Sequence, residues 1–435
     1  MTMPSGVAAQ SAGVMSGAEP SVLLGGVTLA AGQVVDVRLH GGSIAEVGAP
    51  GTLPAADEHL DLSGYLLLPA PAEPHAHFDT ALTADRVDNP TGDLPGAIQA
   101  WLDYQGSVTR DDFVRRATEA AKLGLANGTT AIRSHVGIYQ AVGTKAVEAL
   151  LEVRDALRGL VDIQLVALNV RLSGPDCADM RALLRAAMEM GVDVVGGCPH
   201  LDPDPIAYHN LTLSLAAEFG RPIDLHTDET LDPAVLHLPH LADLVAETGF
   251  PHGATASHCV SLGVQPSEVA AQVAERVAAA GVAVVCNPQT NLGLQARRQR
   301  SAPVRGLTAL RPLLQAGVTV AAGGDNLRDP FNPVGRADPL ETASLLITAG
   351  HLTPEEAYAA VSAGARSAMG LPEVRVEAGF PAELLAVRAA SLGEAIAGGT
   401  SRVVIHQGRV VSRTTVTREF PGANGTALAD DHLLL

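Results

Sequence analysis

Lysine is almost missing from this sequence, with Lys122 and Lys145 the only two in 435 residues. Aromatic residues amount to 3%, including a single tryptophan, Trp101. Cysteine is scarce as well: Cys177, Cys198, Cys259 and Cys286 lie far apart, with no CxxC pair. That spacing excludes a disulfide scaffold and fits a reducing, cytoplasmic setting. No run of about 18 apolar residues occurs, and the opening MTMPSGVAAQSAGVMSGAEP has no basic segment leading into a long apolar one. Neither a membrane span nor a secretory leader is expected. Positive charge is also in short supply. Twenty-nine Lys+Arg against 47 Asp+Glu leave a net charge of −18, which repels a phosphate backbone and argues against a nucleic-acid partner.

What is present is a globular composition, 47% hydrophobic and 17% charged, in a chain long enough for a large barrel plus an accessory unit. Between Val22 and Leu62, short β-type runs alternate with turn residues. From Tyr65 the rhythm changes to apolar strand, polar loop and Ala-rich helix, repeated. The strand candidates are 66–70, 129–136, 162–170, 192–200, 222–229, 253–260, 282–290 and 318–326. Intervening stretches such as MRALLRAAMEMG and PSEVAAQVAERVAAAG close in glycine, as helices do. Eight such units predict a closed parallel barrel. After a last helical pair, β character returns from about Glu377 to Ser412. The expected fold is α/β, a (β/α)8 TIM barrel over 66–371. A small β-sandwich is formed by the N- and C-terminal segments, 21–65 and 372–415. Residues 1–20 are expected to be disordered, and 416–435 to form an irregular tail.

Metal-competent side chains fall at the C-terminal ends of these strands, where barrel active sites are built. The first runs into Glu73-Pro-His75-Ala-His77-Phe-Asp79, the fifth ends in His226-Thr-Asp228-Glu229, the sixth in Ser257-His258 and the eighth in Gly323-Gly324-Asp325-Asn326. In an extended segment His75 and His77 project from the same side. Three imidazoles and one carboxylate, from His75, His77, His226 and Asp325, suit one divalent metal ion, zinc or iron(II), with a position left for water. Such an ion lowers the pKa of water towards about 7. Glu229, three residues beyond His226, is the best-placed proton shuttle, and Asp325 combines ligation with accepting a proton. His258 either orients the attacking water or plays a structural part. Asp79, Arg133 and His135 read as supporting residues, and His200 is left without a role. Because neither lysine lies at a strand end, a lysine-bridged pair of ions is not expected.

These residues together resemble a known family. The segments PHAHFDT, PIDLHTDE, TASHCV and GGDN, with ANGTTAIRSHV, VVGGCPHLD, VCNPQTNLGLQAR and DNLRDPFNPVGRAD, are similar to motifs of the amidohydrolase superfamily, specifically its cytosine-deaminase-like branch. The resemblance covers most of residues 20–412. It implies attack of a metal-activated hydroxide on an sp2 carbon of a nitrogen heterocycle, with loss of ammonia or an amine. It also implies that His75, His77, His226 and Asp325 are ligands, that Glu229 protonates the ring nitrogen and that His258 is the base orienting the water. Two departures fall where the true cytosine deaminases hold their pyrimidine. Val170 stands in place of a glutamine, and Asn326 in place of an acid. A buried polar edge left unpaired costs about 1–3 kcal/mol, so both argue against cytosine itself. Trp101 resembles a position near the pocket, where it stacks on a flat ring or anchors its loop. Asn287, Gln289 and Arg297 are further candidate substrate contacts.

The expected activity is therefore a mononuclear metal-dependent hydrolase of carbon–nitrogen bonds other than peptide bonds, a deaminase of a small nitrogen heterocycle. The alternatives are hydrolysis of a cyclic or linear amide or an N-alkylamino bond at the same site, and a non-catalytic ligand-binding barrel. Acidic loops and an Ala-rich helical exterior permit a homo-oligomer.

Overall fold

The computed structural model describes residues 20–421 and 427–429. Except for residue 20, the N-terminal segment expected to be disordered lies outside them, as does most of the end of the tail. Five strands come first: β1 (Val22–Leu29), β2 (Val34–His40), β3 (Ser43–Gly48), β4 (Glu58–Asp61) and β5 (Tyr65–Pro69). Eight more follow, β6 (Ala72–Ala76), β7 (Ala131–Gly137), β8 (Asp162–Leu168), β9 (Val194–Gly197), β10 (Ile223–Thr227), β11 (Ala254–His258), β12 (Ala283–Cys286) and β13 (Val320–Ala322). The chain then adds β14 (Leu384–Arg388), β15 (Arg402–His406) and β16 (Arg409–Thr414).

Strands β6 to β13 pair in chain order and in parallel, with helices between them, giving the expected (β/α)8 barrel. Every residue of β7 and β10 is buried, because a parallel strand under crossover helices is covered on both faces. Three helices end on a left-handed glycine, Gly220, Gly249 and Gly281. Gly281, at φ 67°, ends the helix Ser267–Ala280 in a left-handed conformation that a side chain would strain.

Both ends of the chain build a separate mixed sheet, in the order β16-β15-β14-β5-β1-β2-β3 with β4 beside β1. Here the structure corrects one strand assignment. The segment 66–70, expected to open the barrel, pairs antiparallel with β14 in this second sheet, and the barrel begins at Ala72–Ala76 instead. Leu66 and Leu68 face the barrel core while Leu67 faces the core of the second sheet. An apolar run reports that both faces are covered but not which sheet the strand joins. A second correction concerns the tail read as irregular, in which Glu419–Pro421 pairs antiparallel with Ala427–Ala429. Among the described residues, no helix is long and apolar enough to cross a membrane.

Barrel and second sheet are fastened by a buried ion pair. Arg366 lies 3.5 Å from Glu383, donates to the Ala70 carbonyl and contacts Thr130, while Glu383 also meets His406 Nδ1 at 2.9 Å and accepts from the Gln407 amide. Removing one partner of such a pair strands the other charge. Glu383→Ala is expected to destabilise the protein by roughly 3–5 kcal/mol, read as a lower urea midpoint.

Candidate active site

The barrel closes at the site itself. Between β13 and β6 the connection is a single parallel bridge, in which the Asp325 amide donates to the His75 carbonyl at 3.0 Å. Glu73 reinforces this seam by accepting from Gly324 N at 2.8 Å and from His75 N at 3.1 Å. A Cβ at Gly323 would sit 2.3 Å from Glu73 Oε1, so the first glycine of GGDN is what lets the carboxyl reach across. Closure therefore brings Asp325 onto the His75–His77 segment.

Four candidate ligands meet there. His77 Nε2 is 3.2 Å from His226 Nε2 and 3.3 Å from Asp325 Oδ1, and His75 Nε2 is 3.6 Å from the same oxygen. His75, His77 and Asp325 can present one atom each within 4.8 Å of one another, as can His75, His226 and His258. Asp325 and His258 hold φ of 62° and 70°, a left-handed backbone that is costly away from glycine and persists where the surroundings enforce it.

Burial decides protonation. With help from neighbouring imidazoles it holds His75 and His226 well below the usual imidazole range, and it takes His77 and His258 down to about 3. All four rings are neutral, which is the ligating form. Burial and the nearby Glu229 and Asp329 carboxylates push Asp325 well above the carboxylate range. Among the described residues, neither oxygen of Asp325, neither ring nitrogen of His75 nor Nδ1 of His226 has a hydrogen-bond partner. Unpaired buried acceptors beside neutral imidazoles are costly unless a cation satisfies them, so the donor set fits a divalent metal ion. A third geometric grouping, His75, His135 and Asp224, does not fit one. Asp224 is already paired with Arg133 at 2.8 Å and accepts from Ser257, and that guanidinium would repel an ion.

Glu229 lies at the side of the cluster. Its Oε1 accepts from Asn291 Nδ2 at 3.0 Å and stands 3.3 Å from His258 Nδ1, while Oε2 has no protein partner among the described residues. Burial pushes this carboxyl up to about 8, only partly offset by the Asn291 bond, so the acid form predominates at neutral pH. The sequence reading missed Asn291. It sits four residues after Asn287, on the same face of the helix Pro288–Leu294, and that i, i+4 repeat is the signal that would have found it.

A cavity opens over this group with a free volume of about 70 Å3. Its polar floor includes His77, His226, Glu229, His258 and Asp325; its walls include Leu94, Ile98, Trp101, Leu168, Val170 and Phe331. Trp101 and Val170 thus face the cavity, as does Asn326, whose amide donates to Asp329 Oδ2 at 2.9 Å. Two other candidate contacts do not line it. Gln289 donates to Thr342 on the far side, and Asn287 stands behind His258, 3.4 Å from its Nε2. Asp79 reaches the wall but binds the Gly137 amide, and His200 turns its Nδ1 to the His226 carbonyl. His135 packs its ring 4.0 Å from that of His75. Cys198 also faces the cavity, yet burial pushes its thiol up, which removes it as a nucleophile.

Comparison with known proteins gives concordant matches. The profile described as the amidohydrolase family matches residues 102–412. A pterin deaminase of Rhizobium rhizogenes is 32% identical over 388 residues, covering 87% of this chain and 88% of that protein. An N-isopropylammelide isopropyl amidohydrolase of Pseudomonas sp. is 27% identical, covering 88% and 94%. Among solved structures, 5-methylcytosine deaminase from Klebsiella pneumoniae liganded with phosphonocytosine superposes with a TM-score of 0.83 at 27% identity, covering 92% of this chain and all (100%) of that one.

The unpaired state of Asp325 gives a prediction with two signs. Asp325→Asn should raise the melting temperature of the metal-stripped protein, because a costly buried carboxylate is gone, and should sharply reduce the metal retained after dialysis. Calorimetry and elemental analysis of the same preparations check both.

Proposed function

The chain belongs to the amidohydrolase family and is a hydrolase of carbon–nitrogen bonds, and from that premise we propose that it deaminates a flat, uncharged amino-substituted nitrogen heterocycle, with pterins the first substrates to try. One divalent ion, zinc or iron(II), held by His75, His77, His226 and Asp325, would supply Lewis acidity and a nucleophile from water at neutral pH. The ion count rests on the Arg133–Asp224 pair occupying the one other grouping among the described residues and on the absence of any lysine at a strand end.

The observation that carries the reading is the division of labour at Glu229. Asn291 and His258 engage Oε1, which leaves the proton on Oε2 directed at a substrate ring nitrogen. As attack at the adjacent carbon loads electrons onto that nitrogen, the proton is delivered where charge develops. His258, neutral and fixed between Asn287 and Asn291, positions the attacking water and stabilises the oxygen of the addition intermediate. Asp325 takes the proton that the water gives up and passes it to the departing amine. The cavity walls carry no lysine or arginine and are largely hydrocarbon, so an uncharged planar ring is what they accept, with Trp101 as a flat face. Cytosine is disfavoured because Val170 cannot bond its amide edge and the Asn326 amide is committed to Asp329. The four buried free thiols agree with a cytoplasmic setting.

A second reading, release of an alkylamine, is favoured by the same hydrocarbon walls, and one relative is named for the removal of an isopropylamino group. The metal-loaded protein should release ammonia from pterin with the ring system intact. Isopropylamine from an N-isopropylaminotriazine, without ammonia from any aminopterin, aminopyrimidine or aminotriazine, would decide for the second reading. In either case Glu229→Gln is expected to retain its metal while kcat falls by roughly 10²- to 10⁴-fold. Turnover at the original rate would remove Glu229 from proton transfer.

A further inference from the structure

Beside the small reaction chamber lies a larger groove of about 530 Å3, and the two share Leu94, Leu201 and Glu229. These shared residues set the two spaces side by side, so the groove is the neighbouring space for any part of a substrate that the chamber does not hold. The groove is lined further by Asp93, His200, Asp232, Arg297 and Arg298.

The charge of this wall is unlike that of the rest of the molecule. In a chain of net −18, no aspartate or glutamate occurs between Glu275 and Asp325, an interval that contains Arg276, Arg297, Arg298, Arg300, Arg305 and Arg311. Arg276 and Arg311 pair with Asp243 and Glu356, and Arg305 bonds the Ala349 carbonyl and His351. Arg297, Arg298 and Arg300 form no ion pair among the described residues and are exposed. The two groove acids are mainly held by their own segments, although the charge of Arg298 also acts on Asp93. Asp93 Oδ1 takes the Thr91 hydroxyl and the Gly96 amide as a helix cap, and Asp232 Oδ1 takes the Ala234 amide. His200 is bonded to the His226 carbonyl. The arginines also have a short tether to the chemistry, since Gln295 Nε2 donates to the Glu229 carbonyl at 3.4 Å and Arg298 is three residues further on, at most roughly 11 Å of chain.

The geometry points to a second subsite in which Arg297 and Arg298 receive a carboxylate carried by the substrate on a short side chain, while the uncharged ring occupies the chamber. This rests on the chamber being the reaction site. A singly charged carboxylate is favoured over a phosphate because Asp93 and Asp232 share the groove and oppose a higher negative charge. Guanidinium groups match a carboxylate with two parallel hydrogen bonds, which gives the contact direction as well as charge.

The test compares pterin with pterin-6-carboxylate on the metal-loaded full-length protein. The carboxylated compound is expected to show kcat/KM about tenfold higher at low salt, a preference that shrinks as KCl is raised. In Arg297→Gln/Arg298→Gln that ratio should fall to near one, and in Arg298→Glu below one. Because it is a ratio, misfolding or metal loss that lowers both activities does not move it. A ratio unchanged by these substitutions would overturn the subsite, and so would stronger inhibition by inorganic phosphate than by acetate. If neither pterin is turned over, the deaminase reading fails on its own. The subsite is then judged by calorimetric binding of pterin-6-carboxylate, where equal affinity in wild type and double variant sinks it and a loss of about tenfold sustains it.

Discussion

Everything at the mouth of this barrel depends on how the ring of strands is closed. The seam between the first and last strands is one main-chain hydrogen bond from Asp325 to His75, backed by the Glu73 carboxyl on Gly324 and His75. The bond that completes the sheet is thus also the bond that sets the last proposed ligand against the first. Gly323 is part of the same device, because any side chain there would displace Glu73. Geometry at the site is inherited from closure of the sheet rather than from a loop that wraps over it.

Desolvation then does the chemical tuning. The same burial keeps four imidazoles neutral, keeps a proton on Glu229 and leaves Asp325 with no donor. It also raises the Cys198 thiol out of the nucleophilic range. Beneath this layer the buried Arg133 guanidinium pairs with Asp224, a carboxylate that would otherwise invite a second ion. The strained backbone at His258 and Asp325 lies at the same level, where neighbouring strands hold it in place. One cation centre with a neutral acid beside it is the arrangement these features jointly favour.

In the proposed reading, substrate recognition divides between two surfaces of opposite character. The inner chamber is small and largely walled by hydrocarbon, and its polar floor holds the proposed ligands and proton donor. The outer groove is larger and is lined by the exposed Arg297 and Arg298. Affinity for a larger molecule is therefore expected to come from outside the reacting ring, where binding energy can be used to orient it.

Much of this was legible in the sequence. The alternation of strand and helix announced the parallel barrel, and His75, His77, His226, Glu229, His258 and Asp325 stood out because each ends a strand. Local pattern failed at particular places. The run LLLP was read into the barrel because it is apolar, whereas the true first strand, AEPHA, is short, contains proline and looks like a loop. Gln289 and Asn287 carry the right chemistry at the right strand end, but their helix turns one towards Thr342 and sets the other behind His258. Asn291 was passed over because an asparagine inside a short helix carries no mark of its own until Glu229 is beside it. Residue types and the period of the chain, fixed by covalent order, were enough to name the fold and the candidate reactive groups. Which sheet a strand joined, which carboxyl kept its proton and which two cavities lay side by side were decided only in three dimensions. Closure and desolvation are sums over groups hundreds of residues apart, and no local window contains them.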